Sequence, residues 1–241
     1  VDLKKMFDDV CAYQAIIRSP EEAPRQVLRA IRIALAQGAV CRIELPADIA
    51  AMEAAGERYL GPVPVSDAVL APGENSLRKA AASLDAGKHI TILAGAGCRG
   101  AREEVLRLAE RLKAPIVHTF RAADVFDHDT PGVVGLTGLI GDPGGYHAVM
   151  RADRLLMLGT DFPYDTFLPH GTETIQVDTR LENIGNRTPV QVGVHGDVKA
   201  AVTRLLDMVQ ERRDNAFRGI DACLWQMEGP DAARCRSEGG A

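Results

Sequence analysis

The sequence has no excess of basic residues, no long apolar run and no signal-peptide pattern. Its formal net charge is −5 at pH 7 and it has no basic stripe, so we expect no nucleic acid as its main partner. No apolar run approaches the roughly 20 residues that a membrane helix needs, and residues 1–9 lack the apolar core of a signal peptide. These absences predict a cytoplasmic protein with no membrane segment in this chain.

The cysteines and histidines lack the spacing of a metal site or of a disulfide framework. The five cysteines are scattered, and no two are spaced as C-x-x-C. His118 and His128 are the closest pair of histidines, and they have no Cys or Glu at zinc-site spacing. We therefore expect reduced thiols and no metal held by these side chains. Cys98 precedes a predicted helix, where a thiolate is favoured, but we prefer a buried and inert thiol.

The first fifty residues predict only part of a domain. Apolar residues recur at helical spacing from Val27 to Leu35, and Gly38 ends this helix. Val40 to Leu45 then predict a short strand. Because one helix and one strand cannot bury a core, we interpret residues 1–50 as the end of a preceding α/β domain. Residues 51–75 contain prolines and glycines with little periodicity and are predicted to be a linker.

From residue 76 onward, apolar strands and amphipathic helices alternate. Strands are predicted at 89–94, 115–120, 133–134, 154–159, 174–178 and 190–194, and helices at 76–84, 101–112, 145–152 and 198–212. This alternation is typical of an α/β fold, a doubly wound parallel sheet with helices on both faces. We expect residues 76–215 to form this domain. Periodicity fades in residues 216–241, which predict an irregular tail.

The loop after the first of these strands reads G-x-G-x-x-G, from Gly95 to Gly100. Glycines in such a loop let the backbone approach a pyrophosphate, and the following helix offers free N–H groups. The acid that would bind the ribose of NAD is missing after the second strand, which ends in Phe120 and Arg121, and Asp124 is a poor substitute. An NAD site and a tight turn without a ligand are both open interpretations of this loop.

Three further strand ends carry glycines or a carboxylate. Residues 135–141 follow the third predicted strand, residues 159–164 follow the fourth, and Asp178 ends the fifth. Because the carboxyl ends of parallel strands meet at one edge of a sheet, we expect an extended nucleotide to lie across them. Asp178 would then accept hydrogen bonds from a ribose or adenine group.

Several of these segments resemble the central domain of bacterial pyruvate oxidase, also called quinone-dependent pyruvate dehydrogenase, a thiamine-diphosphate-dependent family. They are VGLTGLIG (134–141), LLMLGTDFPY (155–164), IQVD (175–178) and VHGDVKAAV (194–202), and residues 95–121 are similar to the start of that domain. The first fifty residues resemble the end of the family's pyrimidine-binding domain. The likeness runs in order over residues 1–215. The loops at 137–140 and 160–164 look more like the oxidases than like the related acetolactate synthases.

The resemblance implies that the central domain holds FAD. Thr137, Gly138, Leu139 and Ile140 would line the flavin's extended chain, Gly159, Thr160, Asp161, Phe162 and Pro163 would lie beside the ribityl and pyrophosphate, and Asp178 would meet the adenosine end. Gly95, Gly97 and Arg121 are secondary candidates for phosphate or ribityl contacts. The family's arginine–glycine–lysine reads Arg121-Ala122-Ala123 here, so one positive contact is missing.

In the resembling family, pyruvate is oxidatively decarboxylated to acetate and CO2, and electrons pass through FAD to a quinone. This chemistry needs thiamine diphosphate and Mg²⁺. By the resemblance, an early glutamate protonates the aminopyrimidine, and a G-D-G motif with a later asparagine holds the magnesium ion on the diphosphate. The one near echo, His195-Gly196-Asp197, has no such partner downstream. We therefore expect an incomplete chain that is not catalytic alone, forms a homo-oligomer and contains no catalytic residue.

Three alternatives are open: a non-catalytic nucleotide-binding module, an acetolactate-synthase-like protein and an NAD-binding protein. The acidic run at 124–129 is interpreted as a solvated face rather than as a general base.

Overall fold

In the computed structural model the chain divides into two units, Val1–Ala68 (unit 1) and Val69–Ala241 (unit 2). The structure describes residues 2–54, 68–127 and 129–214. The predicted tail at 216–241, most of the predicted linker and His128 lie outside the described residues. In the described part of the chain, no helix has the length and apolar character required to cross a membrane.

Unit 1 contains two parallel strands and the helix that connects them. Its elements are α1 (Leu3–Met6), β1 (Cys11–Ile16), α2 (Ala23–Gln37), β2 (Val40–Glu44) and α3 (Ala47–Ala50). Gly38 ends α2 in the left-handed conformation, as predicted. The sequence predicts one strand here and the structure has two. The residues of β1, CAYQAI, include two alanines, which have lower strand propensity and weaken the strand signal in the sequence; in the structure β1 pairs in parallel with β2.

Unit 2 contains a six-stranded parallel sheet in the order β5-β4-β3-β6-β7-β8. Its strands are β3 (Ile90–Ala94), β4 (Ile116–His118), β5 (Val133–Leu136), β6 (Arg154–Leu158), β7 (Glu173–Asp178) and β8 (Val192–His195). Its helices are α4 (Glu74–Ala86), α5 (Arg102–Leu112), α6 (Pro143–Met150) and α7 (Val198–Met208). The predicted α/β fold with a parallel sheet is confirmed.

Helices cover both faces of this sheet. On one face, strand residues such as Ile92 and Leu156 pack in a single buried cluster with side chains of α4, α5 and α7. On the other face, Leu93 and Met157 pack with α6 and with residues of the loops that follow β6. Burial on both faces explains why these strands are continuous apolar runs rather than alternating ones.

Several predicted boundaries shift in the structure. Helix α4 begins at Glu74 and ends at Ala86, two residues beyond the predicted helix 76–84 at each end. The second strand ends at His118 instead of residue 120, because the chain turns into a short 3-10 helix at Phe120–Ala122. Asp197 caps α7, accepting a hydrogen bond from the backbone N–H of Ala200 at 2.9 Å.

The order of the strands reverses between β3 and β6, which are neighbours in the sheet. In open α/β sheets this reversal opens a crevice outside the carboxyl ends of the two strands, where ligands bind. Here the two loops approach so closely that glycines are required. Gly159 has φ +57, and a Cβ at this position would lie 2.5 Å from the Cα of Gly97. Only glycine fits both the conformation and the contact.

Replacing Gly159 with alanine should lower the free energy of unfolding by about 2–4 kcal/mol, from left-handed strain together with the clash against Gly97. Gly171 is a matched control, since it has φ +78 and a Cβ added there would meet no atom within 4 Å. Its alanine variant should lose only about 1 kcal/mol. Urea denaturation measures both. Equal losses in the two variants would contradict a close approach of the loops.

Candidate functional site

The structure brings all the predicted site residues to one edge of the unit 2 sheet. Every strand in the sheet is parallel to its neighbours, so the segments that follow the strands share the carboxyl edge. Along this edge they follow the order of the strands: 137–140, Arg121, 95–97, 159–163 and Asp178. The shared edge is observed, whereas a binding role for each residue stays a prediction.

The glycine loop after β3 uses its N–H groups inside the protein. Gly97 N–H donates to the carbonyl of Gly159 at 3.0 Å, and Gly95 N–H donates to the carbonyl of Leu158 at 2.9 Å. Helix α5 begins only at Arg102, and its first turn carries Glu103 and Glu104. Carboxylates at a helix N-terminus oppose an anionic ligand there. This geometry disfavours the NAD interpretation, in which the loop and helix hold a pyrophosphate.

Cys98 lies in the same loop and is fully buried. Its thiol donates to the carbonyl of Leu158 at 3.4 Å. Burial raises the pKa of Cys98 to about 12, because a thiolate loses its hydration in an apolar site. The thiol therefore packs the β3 loop against β6, as the inert interpretation predicts.

The loop after β5 contains an unsatisfied buried hydroxyl. Within the residues that the structure describes, Thr137 Oγ1 is the one buried side-chain nitrogen or oxygen without a hydrogen-bond partner. Leaving such a group unpaired costs about 1–3 kcal/mol, and a native structure that tolerates the cost needs a reason, such as a partner supplied by a ligand. The next residue, Gly138, has φ +115 and lies against the ring of Phe162.

Asp142 fixes the shape of the β5 loop. Its carboxylate accepts hydrogen bonds from the backbone N–H groups of Leu136 and Gly145, both at 2.8 Å, and thereby caps α6. The loop so held presents Leu139 and Ile140 outward, with exposed fractions of 70% and 68%. Two such apolar side chains beside a cleft are suited to an apolar ring or surface.

The loop after β6 supplies an aromatic wall next to the β5 loop. Phe162 is buried and meets Tyr164 edge to face, with ring centroids 5.5 Å apart. Tyr164 and Tyr146 both make edge-to-face contacts with Phe167, at 6.3 Å and 6.1 Å. Because aromatic pairs of this geometry are mutually stabilising, the wall holds the β6 loop beside Gly138.

The two predicted acidic residues of the edge already have protein partners. Asp161 accepts hydrogen bonds from Arg187, and this contact lowers the pKa of its carboxyl. Asp178 is buried and accepts from the backbone N–H of Arg180 at 2.8 Å and from the side chain of Asn183 at 3.2 Å. These contacts of Asp178 are structural. Because a carboxylate has about four acceptor sites, Asp178 could still accept a further hydrogen bond, and its contact with adenosine stays a prediction.

Arg121 is an uncommitted cation at the end of β4. Its side chain is exposed and has no hydrogen bond or ion pair among the described residues. Its neighbour Arg99 is instead committed, with two hydrogen bonds to Asp124 at 3.0 and 3.1 Å and a third to the carbonyl of Arg121. The negative charge of Asp124 is thus balanced by Arg99. Arg121 is therefore available to bind an anionic group.

A cavity of about 360 Å³ lies at the opposite, amino edge of the sheet, lined by Gly87, Lys88, His89, Leu112, Lys113, Arg212, Arg213 and Asp214. One of its basic side chains, Arg212, has a structural task there. Arg212 donates to the carbonyls of Leu84 and Lys88 around the end of α4, where the helix dipole is negative.

In the described ranges, no group of three or more His, Cys, Asp or Glu side chains could hold a metal ion.

The fold, a parallel sheet covered on both faces by helices, defines a doubly wound α/β domain. Residues 77–205, more than half of the chain, match the family described as thiamine pyrophosphate enzyme, central domain. The chain belongs to this family, which confirms the predicted relation to thiamine-diphosphate-dependent enzymes, whereas the pyruvate oxidase branch stays a prediction.

The relatives agree with this assignment. The chain is 40% identical to an uncharacterized 42.6 kDa protein in the isoamylase 3′ region of Pseudomonas amyloderamosa, over 92% of this chain and 56% of that protein. It is 33% identical to a putative thiamine pyrophosphate-containing protein, YdaP, of Bacillus subtilis, over 95% and 39%. It is 31% identical to a sulfoacetaldehyde acetyltransferase of Roseovarius nubinhibens, over 90% and 37%. The chain thus spans about half or less of the length of these relatives.

A solved structure supports the fold. The X-ray structure of a putative thiamin diphosphate-dependent enzyme from Mycobacterium smegmatis matches 89% of this chain and 42% of its own, with a TM-score of 0.66 and 23% identity.

Replacing Thr137 with valine should leave the free energy of unfolding of the ligand-free protein unchanged or raise it by up to about 1 kcal/mol, because the lost hydroxyl has no partner. Thr91 is the matched control: it is buried and donates to the carbonyl of Ala148 at 2.7 Å, so its valine variant should lose about 1–2 kcal/mol. The comparison requires only urea denaturation. A Thr137 variant as destabilised as the Thr91 variant would show that the hydroxyl is satisfied within the chain.

Cys98 should react with iodoacetamide far more slowly than the partly exposed Cys11 and Cys41. With a pKa of about 12, only about one Cys98 in ten thousand is a thiolate at pH 8, and the thiolate is the nucleophile. Mass mapping of labelled peptides gives each rate, and urea should raise the rate at Cys98 alone to that of the others. Equally fast labelling of the three thiols in the folded chain would exclude a buried Cys98.

Proposed function

We propose that the carboxyl edge of the unit 2 sheet binds FAD, and that this chain is the central part of a thiamine-diphosphate- and magnesium-dependent pyruvate oxidase. The full-length protein would decarboxylate pyruvate oxidatively to acetate and CO2, with electrons passing through FAD to a quinone. The observation that carries the nucleotide site is the buried hydroxyl of Thr137 after β5, which has no hydrogen-bond partner in the described part of the chain.

The groups left free at this edge match the chemical parts of FAD. Thr137 offers a buried hydroxyl to a ligand with hydroxyl groups of its own, such as the ribityl chain. Arg121 offers a guanidinium for a phosphate. Leu139 and Ile140 offer exposed apolar surface to an aromatic ring. When bound, FAD would supply the electron transfer, and these residues would bind and orient it.

The choice of FAD over NAD depends on two further observations. The N–H groups of Gly95 and Gly97 are already paired within the protein, and the strand after the glycine loop leads to Arg121 instead of an acid that could bind a ribose. The segment at 134–141, which resembles the oxidases, contains Thr137, Leu139 and Ile140. In the segment at 155–164, which also resembles them, Phe162 lies beside Gly138.

Pyruvate as the substrate rests on the sequence resemblance alone. A second candidate is an acetyltransferase acting on sulfoacetaldehyde, favoured by the 31% identical relative of that name. Both reactions are proposals for the longer protein. The glutamate and the G-D-G motif expected to hold thiamine diphosphate and Mg²⁺ are not recognised in this sequence, so we propose that this chain alone does not turn over pyruvate.

FAD added to the purified chain should bind, as followed by quenching of flavin fluorescence, and NAD should not displace it. Replacing Arg121 with methionine should weaken binding about tenfold, since one hydrogen bond between charged groups contributes roughly 1.5 kcal/mol. Replacing Thr137 with valine should weaken it about fivefold through loss of one neutral hydrogen bond.

Arg151 provides the control for this titration, since it is exposed at the end of α6, before β6, and therefore at the amino edge. Its methionine variant should bind FAD like the unmodified chain. The proposal fails if the folded chain does not bind FAD, or if the Arg151 variant loses as much affinity as the Arg121 variant.

A further inference from the structure

The loops that follow β6 and β7 are joined by two separate contacts. We define the β6 loop as residues 159–163 and the β7 loop as residues 179–187. The inner contact is made by Gln176, a buried side chain of β7. Its amide nitrogen donates to the carbonyls of Thr160 at 3.1 Å and Asn183 at 3.0 Å, and its amide oxygen accepts from Gly185 N–H at 3.0 Å. One buried amide therefore holds both loops.

The outer contact is an ion pair between Asp161 of the β6 loop and Arg187 of the β7 loop. The guanidinium is bidentate, with Nε 2.9 Å and Nη2 3.1 Å from the two carboxylate oxygens, and Asn186 adds a hydrogen bond at 3.2 Å. Hydrogen bonding to Arg187 lowers the pKa of Asp161, so the pair stays charged at neutral pH. A bidentate pair fixes orientation as well as distance.

Asp161 connects this ion pair to the nucleotide site through the next residue. Phe162 is buried on the sheet face that α6 covers, and its ring lies beside Gly138, so that a Cβ added to this glycine would be 3.3 Å from Cζ. Gly138 follows directly on Thr137, which has the unpartnered hydroxyl. The path from Arg187 to the site therefore consists of Asp161, Phe162 and Gly138.

We propose that Arg187 is a positioning residue for the nucleotide site. Its bidentate hold on Asp161 fixes the β6 loop, so that Phe162 supports Gly138 and sets the space beside Thr137. As a partly exposed pair, Asp161–Arg187 adds little to global stability. Its effect should fall on the position of the loops. The ligand in this inference is the one in the proposed function, whereas the loop coupling is a property of the ligand-free chain.

The test compares Arg187→Met, Asp161→Asn, the double variant and Arg187→Lys in the full chain. Arg204→Met is the control, because Arg204 forms a similarly exposed ion pair with Glu74 that joins α7 to α4. Hydrogen exchange of the ligand-free protein, read by mass spectrometry on peptides covering 136–142 and 159–163, reports the coupling. FAD affinity reports its consequence, and urea denaturation reports global stability.

We expect Arg187→Met and Asp161→Asn each to speed exchange in both peptides and to weaken FAD binding about tenfold, with global stability close to that of the unmodified chain. The double variant should be no worse than either single variant, because both remove the same contact. Arg187→Lys should be intermediate, since lysine retains the charge and loses the bidentate geometry. Arg204→Met should change neither the hydrogen exchange of the two peptides nor the affinity for FAD.

Exchange that increases only at 159–163 and not at 136–142 would overturn the inference, as would equal effects of the Arg204 and Arg187 variants. Behaviour of Arg187→Lys identical to the unmodified chain in both measurements would overturn the requirement for bidentate geometry. If the unmodified chain does not bind FAD, the proposed function fails, and the exchange results alone then decide whether Arg187 positions the β5 loop.

Discussion

The structure of unit 2 depends on the close approach of two backbone loops, where Gly97 of the β3 loop lies against Gly159 of the β6 loop. This contact occurs where the strand order reverses, so it determines the floor of the carboxyl-edge crevice. It also consumes the N–H of Gly97, which donates to Gly159. The glycines that the sequence offers for a pyrophosphate are thus used to pack one half of the sheet against the other. Any phosphate at this edge must find other donors.

The remaining polar groups of the edge divide it into two parts. On the side of β6 and β7, the polar side chains all have partners within the chain, so hydrogen bonds inside the protein hold this side in place. They are Gln176, Asp161 and Asp178. On the side of β4 and β5, Arg121 has no partner among the described residues and the hydroxyl of Thr137 is buried without one. The buried hydroxyl of Thr137 is costly to leave unpaired unless a ligand satisfies it, whereas Arg121 is exposed to solvent. Recognition of a nucleotide is therefore expected on the β4–β5 side, supported by the side of β6 and β7.

Much of this arrangement could be predicted from the sequence, because strands buried on both faces are continuous apolar runs and their carboxyl ends share an edge. The prediction did not include β1, in which two alanines interrupt the strand-forming residues. One interpretation of the sequence made the glycine loop a phosphate site. The sequence could not show that Gly159, about 60 residues later in the chain, packs against this loop and accepts the hydrogen bond of Gly97 N–H. Gln176 and Arg187 were also missed. Gln176 binds carbonyls and Arg187 binds a carboxylate, all in loops distant in the sequence, so periodicity could not reveal these contacts. The one signal in the sequence was Gln176 itself, a polar residue inside an apolar strand.

The most direct test of the carboxyl-edge site is amide chemical-shift mapping of the ¹⁵N-labelled chain as FAD is added. The account predicts that the largest changes fall at Arg121 and at residues 137–140, with smaller changes at 159–163. Changes confined to residues 87–89 and 112–113, around the cavity at the amino edge, would place the nucleotide on the wrong side of the sheet and contradict the account.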